Sequence, residues 1–259
     1  MPALPPALPA RHSNPKLALL LGAAAVLATL GLMPYLLALM PQKFAHLPVP
    51  LAVTIAGQTL QAGVLCGLLG WLGLHLGAPY GLDAPWLRAW IERTKPPARP
   101  RWGMAISLGA GAGLLVAGLA LPGLHGAALH GSDAFARAWR GFLASFYGGV
   151  VEEVECRLLL VSAVVWLLAR GNGRVAAPWM FAVAVVLAAL LFGAGHLPAA
   201  FALGIAHAPL PILRIILLNA LVGVVAGALF CKHGLEHAML AHFSADLILH
   251  VAVPLALAS

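Results

Sequence analysis

A polytopic all-α bundle of transmembrane helices is the fold class this 259-residue chain predicts, and three observations predict it. Hydrophobic residues make up 62% of the chain and charged residues only 9%, against about a quarter charged in a soluble domain; mean hydropathy is +0.95. Several apolar stretches reach or approach the roughly 20 residues that cross a bilayer as a helix. Strand-like alternation is absent, and lipid admits only helices and closed barrels because every backbone polar group must be satisfied internally.

The spans are expected at Leu17 to Met40, Leu51 to Leu76, Gly103 to Pro122, Gly141 to Leu168, Pro178 to Leu197, Pro209 to Phe230 and Leu235 to Leu257. That makes about seven, with an eighth left open. Residues 1–16 read as a proline-rich tail rather than a cleavable signal. Residues 17–132 read as N-terminal transmembrane helices interrupted by a basic, proline-rich loop at 77–102, and residues 133–259 as the core that carries the chemistry. In the long loop, Trp86, Trp90 and Ile91 suit a short interfacial helix, and Ser132 or Asp133 suits an N-cap for a partly amphipathic segment ahead of the fourth span.

The formal charge of +7 does not indicate nucleic acid, because the basic residues fall in short loops between spans. With the N-terminus inside, Arg11, Lys16, Arg88, Arg93, Lys95, Arg99, Arg101, Arg170, Arg174 and Lys232 lie on the cytoplasmic side against Lys43, Arg137 and Arg140 outside, the asymmetry that orients membrane proteins. Cys66, Cys156 and Cys231 are odd in number and lie within or beside apolar segments, so no disulfide framework follows. Gly-x-x-x-Gly spacings at Gly63 to Gly67, Gly109 to Gly113 and Gly223 to Gly227 read as close helix packing.

Charge within spans is costly, about 2.5–3.5 kcal/mol per residue at the helix centre on insertion scales, and marks function by default. Three clusters interrupt the last four spans. The first is Val151-Glu152-Glu153-Val154-Glu155-Cys156-Arg157, where Glu153 and Arg157 pair four apart on one helical face and Glu152 faces elsewhere. The second is Phe192-Gly193-Ala194-Gly195-His196, and the third is His242-Phe243-Ser244-Ala245-Asp246, in which His242 and Asp246 share a face. These residue types suit hydrolysis: Glu152 with His196 to hold a water and take its proton, His242 to donate toward an oxyanion, and Asp246 to orient His242 or, if protonated, to donate itself.

The motifs Glu152-Glu153-x-x-x-Arg157, Phe192-x-x-x-His196 and His242-x-x-x-Asp246, in that order on successive spans, resemble those of the CPBP family of intramembrane proteases, which includes the type II CAAX prenyl endopeptidases. The resemblance covers roughly the last 120 residues. It implies an endopeptidase acting on membrane-associated peptides or lipidated proteins, with Glu152 and His196 activating water, His242 and Asp246 at the oxyanion, and Glu153 and Arg157 in support. It implies either no cofactor or, in a metal-dependent version, zinc held by Glu152, His196 and His242. Two departures stand out: Asp246 occupies a position where asparagine is common, and Glu155 and Cys156 one that is often apolar or aromatic.

Blander readings compete. Glu152 and Glu153 can be a buried pair that fixes packing, and His196, beside Pro198, can be a helix-end histidine. His233-Gly234-Leu235-Glu236-His237 matches the H-x-x-E-H pattern of inverted zinc proteases, but Gly234 reads as the end of a helix, which breaks the pattern. The remaining histidines, including His250, lie mostly at span ends and are assigned no role. His196 falls near the end of its span and His242 well inside its own, so their depths disagree unless the cavity is deep, a span is broken or the boundaries differ. Two non-proteolytic rivals remain: a proton-coupled transporter, which would string polar residues through both halves, and an inactive scaffold or immunity protein.

Overall fold

The computed structural model describes residues 13–96, 99–120 and 134–258, mostly helical and joined by turns and short irregular stretches, with no strand among them. Helix α1 spans Asn14–Leu39, α2 Leu51–Gly77, the short α3 Pro85–Glu92, and α4 Trp102–Ala120. Helix α5 runs over residues 134–170: an α-helical Ala134–Tyr147, π-helical segments Gly148–Glu152 and Val154–Val161, and α-helical Ser162–Arg170. Helix α6 spans Pro178–Gly195, α7 Pro209–His233 and α8 Leu235–Ala256. Proline at the first turn of α1, α3, α6 and α7 occupies the position where a missing N–H costs nothing.

Six of these helices, α1, α2, α4, α6 (extended to Ala202), α7 and α8, are long and apolar enough to cross a bilayer, and the protein is an integral membrane protein. The fourth expected span, Gly141 to Leu168, is not a uniform α-helix. It forms the second half of α5, wound partly in π register, and the helix begins earlier than Gly141 because Ala134–Tyr147 runs straight into it. The proposed caps Ser132 and Asp133, the end of the third span, and most of the N-terminal tail lie outside the described residues.

Helix α5 passes through the middle of the main apolar cluster, where Val151, Val154, Leu158, Val161 and Val165 meet Leu17 and Leu21 of α1, Cys66 and Leu74 of α2, and Ala184 and Ala188 of α6. All three Gly-x-x-x-Gly pairs sit where helices touch. A Cβ on Gly63 would strike Val26, on Gly109 the Ala241 carbonyl, and on Gly223 the Ala189 side chain. Glycine therefore sets how closely α1 meets α2, α4 meets α8, and α6 meets α7.

The helix ends sort onto two faces. On one, Arg88 of α3 bonds Ser13 and Asp83, the Leu235 N–H donates to the Asp83 carbonyl, and Trp102 stacks on His237. On the other, Arg214 of α7 donates to the last carbonyls of α4, at Leu119 and Ala120. The interfacial helix expected from Trp86, Trp90 and Ile91 is α3, with Trp90 exposed and Arg88 turned inward.

Candidate active site

The site is built where α5 presses on α8. Gly148 and Gly149 form the contact: a Cβ on Gly148 would collide with the Asp246 carboxylate and come within 3.2 Å of His242 Nε2, and one on Gly149 would meet Phe243 and the Met239 carbonyl. π-Helical turns recur at functional sites. Here the i→i+5 winding turns less per residue than an α-helix, so consecutive side chains diverge less.

Glu153 and Arg157 form the expected pair at 2.8 Å, both fully buried. Arg157 also donates from Nη2 to the Gly223 carbonyl at 3.1 Å, and its guanidinium lies 4.9 Å from the centre of the Phe192 ring. One side chain thus ties α5 to α7 and α6. The same Glu153 oxygen lies 2.7 Å from His242 Nδ1. An ionised carboxylate only accepts, so Nδ1 carries the hydrogen and donates.

Glu152 does not face elsewhere. Its Oε2 lies 3.6 Å from His242 Nε2, so two consecutive glutamates flank the two nitrogens of one ring, which the reduced turn of the π-helix permits. Asp246 approaches the same nitrogen at 3.7 Å. Three carboxylates therefore surround one permanent cation and one imidazole. Glu155 is half-buried and joins none of these pairs; nothing in the structure explains it.

His196 stands directly after α6, four residues on from Phe192. Its Nδ1 is 2.9 Å from the Phe192 carbonyl, which only accepts, so Nδ1 donates and a neutral ring leaves Nε2 as an acceptor. The Phe192 ring stands edge-on to both His196, at 4.8 Å between centroids, and His242, at 5.2 Å. Among the described residues no ion pair within 4.0 Å joins His196 to Glu152, so the expected partners are not in direct contact; the contacts between them run through the Phe192 ring and His242.

The disagreement in depth has a simple cause. Helices α6 and α8 run in the same direction but are staggered, so Phe192, three residues from the end of α6, meets His242, seven residues into α8.

Two residues join the site that the sequence did not single out. His250 Nε2 lies 4.0 Å from Asp246 Oδ1, and Tyr35 of α1 stands edge-on to His250 at 5.7 Å. The spacing His242-x-x-x-Asp246-x-x-x-His250 was available as a signal, because residues four and eight apart share a helical face. For Tyr35 there was none.

The His233 to His237 pattern is an accident of sequence. Gly234 has φ +94°, which ends α7, and Glu236 turns away to accept hydrogen bonds of 2.8 Å from the Trp86 and Leu87 N–H groups at the start of α3. Among the described residues no three His, Cys, Asp or Glu side chains stand close enough to hold a metal ion as placed, while the Glu153 contact at His242 Nδ1 leaves Nε2 turned toward Glu152 and Asp246.

Residues 134–248 match the family model described as Type II CAAX prenyl endopeptidase Rce1-like, a stretch that contains all six site residues expected from the sequence. No curated protein and no solved structure matches the chain.

Proposed function

Because residues 134–248 belong to the Rce1-like family of type II CAAX prenyl endopeptidases, we propose that the protein is an intramembrane endopeptidase that hydrolyses a peptide bond of a membrane-associated substrate with a water activated by Glu152 and His196. One observation carries the reading: Glu152 stays partly exposed beside a histidine whose other nitrogen is locked by the buried Glu153–Arg157 pair. A pair built only for packing has no need of a second, unneutralised glutamate.

In this mechanism a water sits between the Glu152 carboxylate and His196 Nε2. Glu152 takes one proton as the water oxygen attacks the scissile carbonyl, and His196 orients the water through its acceptor nitrogen. With hydrogens on both nitrogens, His242 donates from Nε2 to the developing oxyanion, and Glu153 holds its ring in place. Asp246 orients His242 or, when protonated, donates beside it. Collapse of the tetrahedral intermediate breaks the C–N bond, and Glu152 returns its proton to the leaving amine. Glu153 and Arg157 are positioning residues.

The test uses purified protein in detergent with labelled, membrane-tethered peptides, prenylated and unprenylated. Glu152→Gln and His196→Ala are each expected to lose on the order of 10²- to 10⁴-fold in turnover, the range of general acid–base catalysis, with the thermal unfolding midpoint retained. Unchanged turnover in either variant overturns the assignment. Chelator inhibition reversed by zinc selects the zinc-dependent version, and a wild-type protein that cleaves no peptide selects the scaffold.

A further inference from the structure

We propose that the catalytic cavity opens on the extracytoplasmic face of the membrane, so that the substrate is a polypeptide segment exposed there, on an exported or outer-surface-anchored chain, and not a cytoplasmic tail. The substrate half rests on the endopeptidase reading; the orientation half does not.

Three observations combine. The first is which ends of the helices lie together. The start of α1, the end of α2, helix α3, the start of α4 and the start of α8 meet through Ser13, Asp83, Arg88, Glu236 and His237. The turn between α5 and α6 joins them, since Ala169, Ala176 and Met180 pack in one cluster with Leu82 and Ala84. The opposite face gathers the ends of α1, α4, α6 and α8 with the start of α7.

The second is charge. Of the described Lys and Arg residues other than the buried Arg157, nine lie on the first face: five between Arg88 and Arg101, with Lys16, Arg170, Arg174 and Lys232. Four lie on the second: Lys43, Arg137, Arg140 and Arg214. Short loops rich in Lys and Arg stay in the cytoplasm, which makes the first face cytoplasmic.

The third is the direction in which the site opens. Toward the basic face it is sealed: the Arg157 and Glu153 side chains are 1% and 0% exposed, and Leu158, Val161 and Val165 continue the closed packing along α5. Its α-helical end alone, Ser162–Arg170, runs about 12 Å at 1.5 Å per residue. In the other direction exposure rises through Asp246 at 14% to His250 at 39%, with Glu152 at 25%, and His196 caps the end of α6. Water and a peptide therefore reach Glu152 from the face that carries few cations.

The orientation is read by labelling. Gln42 and Thr94 are exposed, uncharged and on opposite faces, so Gln42→Cys and Thr94→Cys leave the charge balance unchanged; Cys231→Ser supplies the background, because Cys66 and Cys156 are buried. In intact bacterial cells a membrane-impermeant maleimide is expected to label Gln42→Cys and to label Thr94→Cys only after permeabilisation. Labelling of Thr94→Cys in intact cells, or of Gln42→Cys only after permeabilisation, overturns the orientation. In parallel, a membrane-impermeant quenched peptide added outside cells expressing the wild-type protein is expected to be cleaved before permeabilisation. Cleavage only afterward overturns the substrate class. No cleavage on either side, with the labelling pattern as expected, overturns the endopeptidase reading and leaves the orientation standing.

Discussion

The protein buries charge in two places, and they differ in how the carboxylates are held. Near the basic face, Arg88 donates to both oxygens of Asp83 at 2.7 Å and to Ser13, and lies 3.9 Å from Glu92, while Glu236 caps the first N–H groups of α3. Each charge there serves to hold α3 against the ends of α1 and α8. In the membrane core, Arg157 matches Glu153, but Glu152 and Asp246 remain, facing a histidine and a partly open space. Carboxylates held by a cation or by backbone N–H groups keep helices together; one held by neither in a wet pocket is costly unless it is used.

The comparison breaks first at Arg157. Arg157→Ala strands Glu153 and His242, and removal of one partner from a buried pair costs about 3–5 kcal/mol; denaturation in detergent should show the loss, together with loss of turnover. A variant that unfolds like the wild type would mean that the pair is not structural. Gly148→Ala comes next. Its Cβ would collide with Asp246, so overpacking is expected to cost about 1–3 kcal/mol and turnover to fall further than stability alone explains. Unaltered turnover would mean that α5 does not press on α8 at this point. Glu236→Gln should have the smallest effect, about 1 kcal/mol from weakened hydrogen bonds to the start of α3, with kcat unchanged. A collapse of kcat in this variant would erase the distinction between the two clusters.

The same contrast explains what was legible in the sequence. Apolar runs located the spans because lipid imposes length, and the Glu153–Arg157 pair was legible because four-residue spacing is a local rule. The three polar clusters pointed to one site because isolated acids at membrane depth are rarely idle. The π winding of α5 was not legible, and it brings Glu152 to the far nitrogen of the ring that Glu153 already holds. The stagger of α6 against α8 was equally hidden, because it depends on packing between helices far apart in sequence. Tyr35 reaches the site from α1 for the same reason. His250 was legible by spacing, but its place near a span end argued for an ordinary wet histidine.

The central claim is that Glu152 and His196 act together on one water, and a double-mutant cycle on peptide hydrolysis tests it most directly. Residues that act as a unit are non-additive. Glu152→Gln combined with His196→Ala should therefore turn over no more slowly than the worse single variant, all three remaining folded. Losses that multiply in the double variant would contradict the account, as would wild-type turnover in either single one.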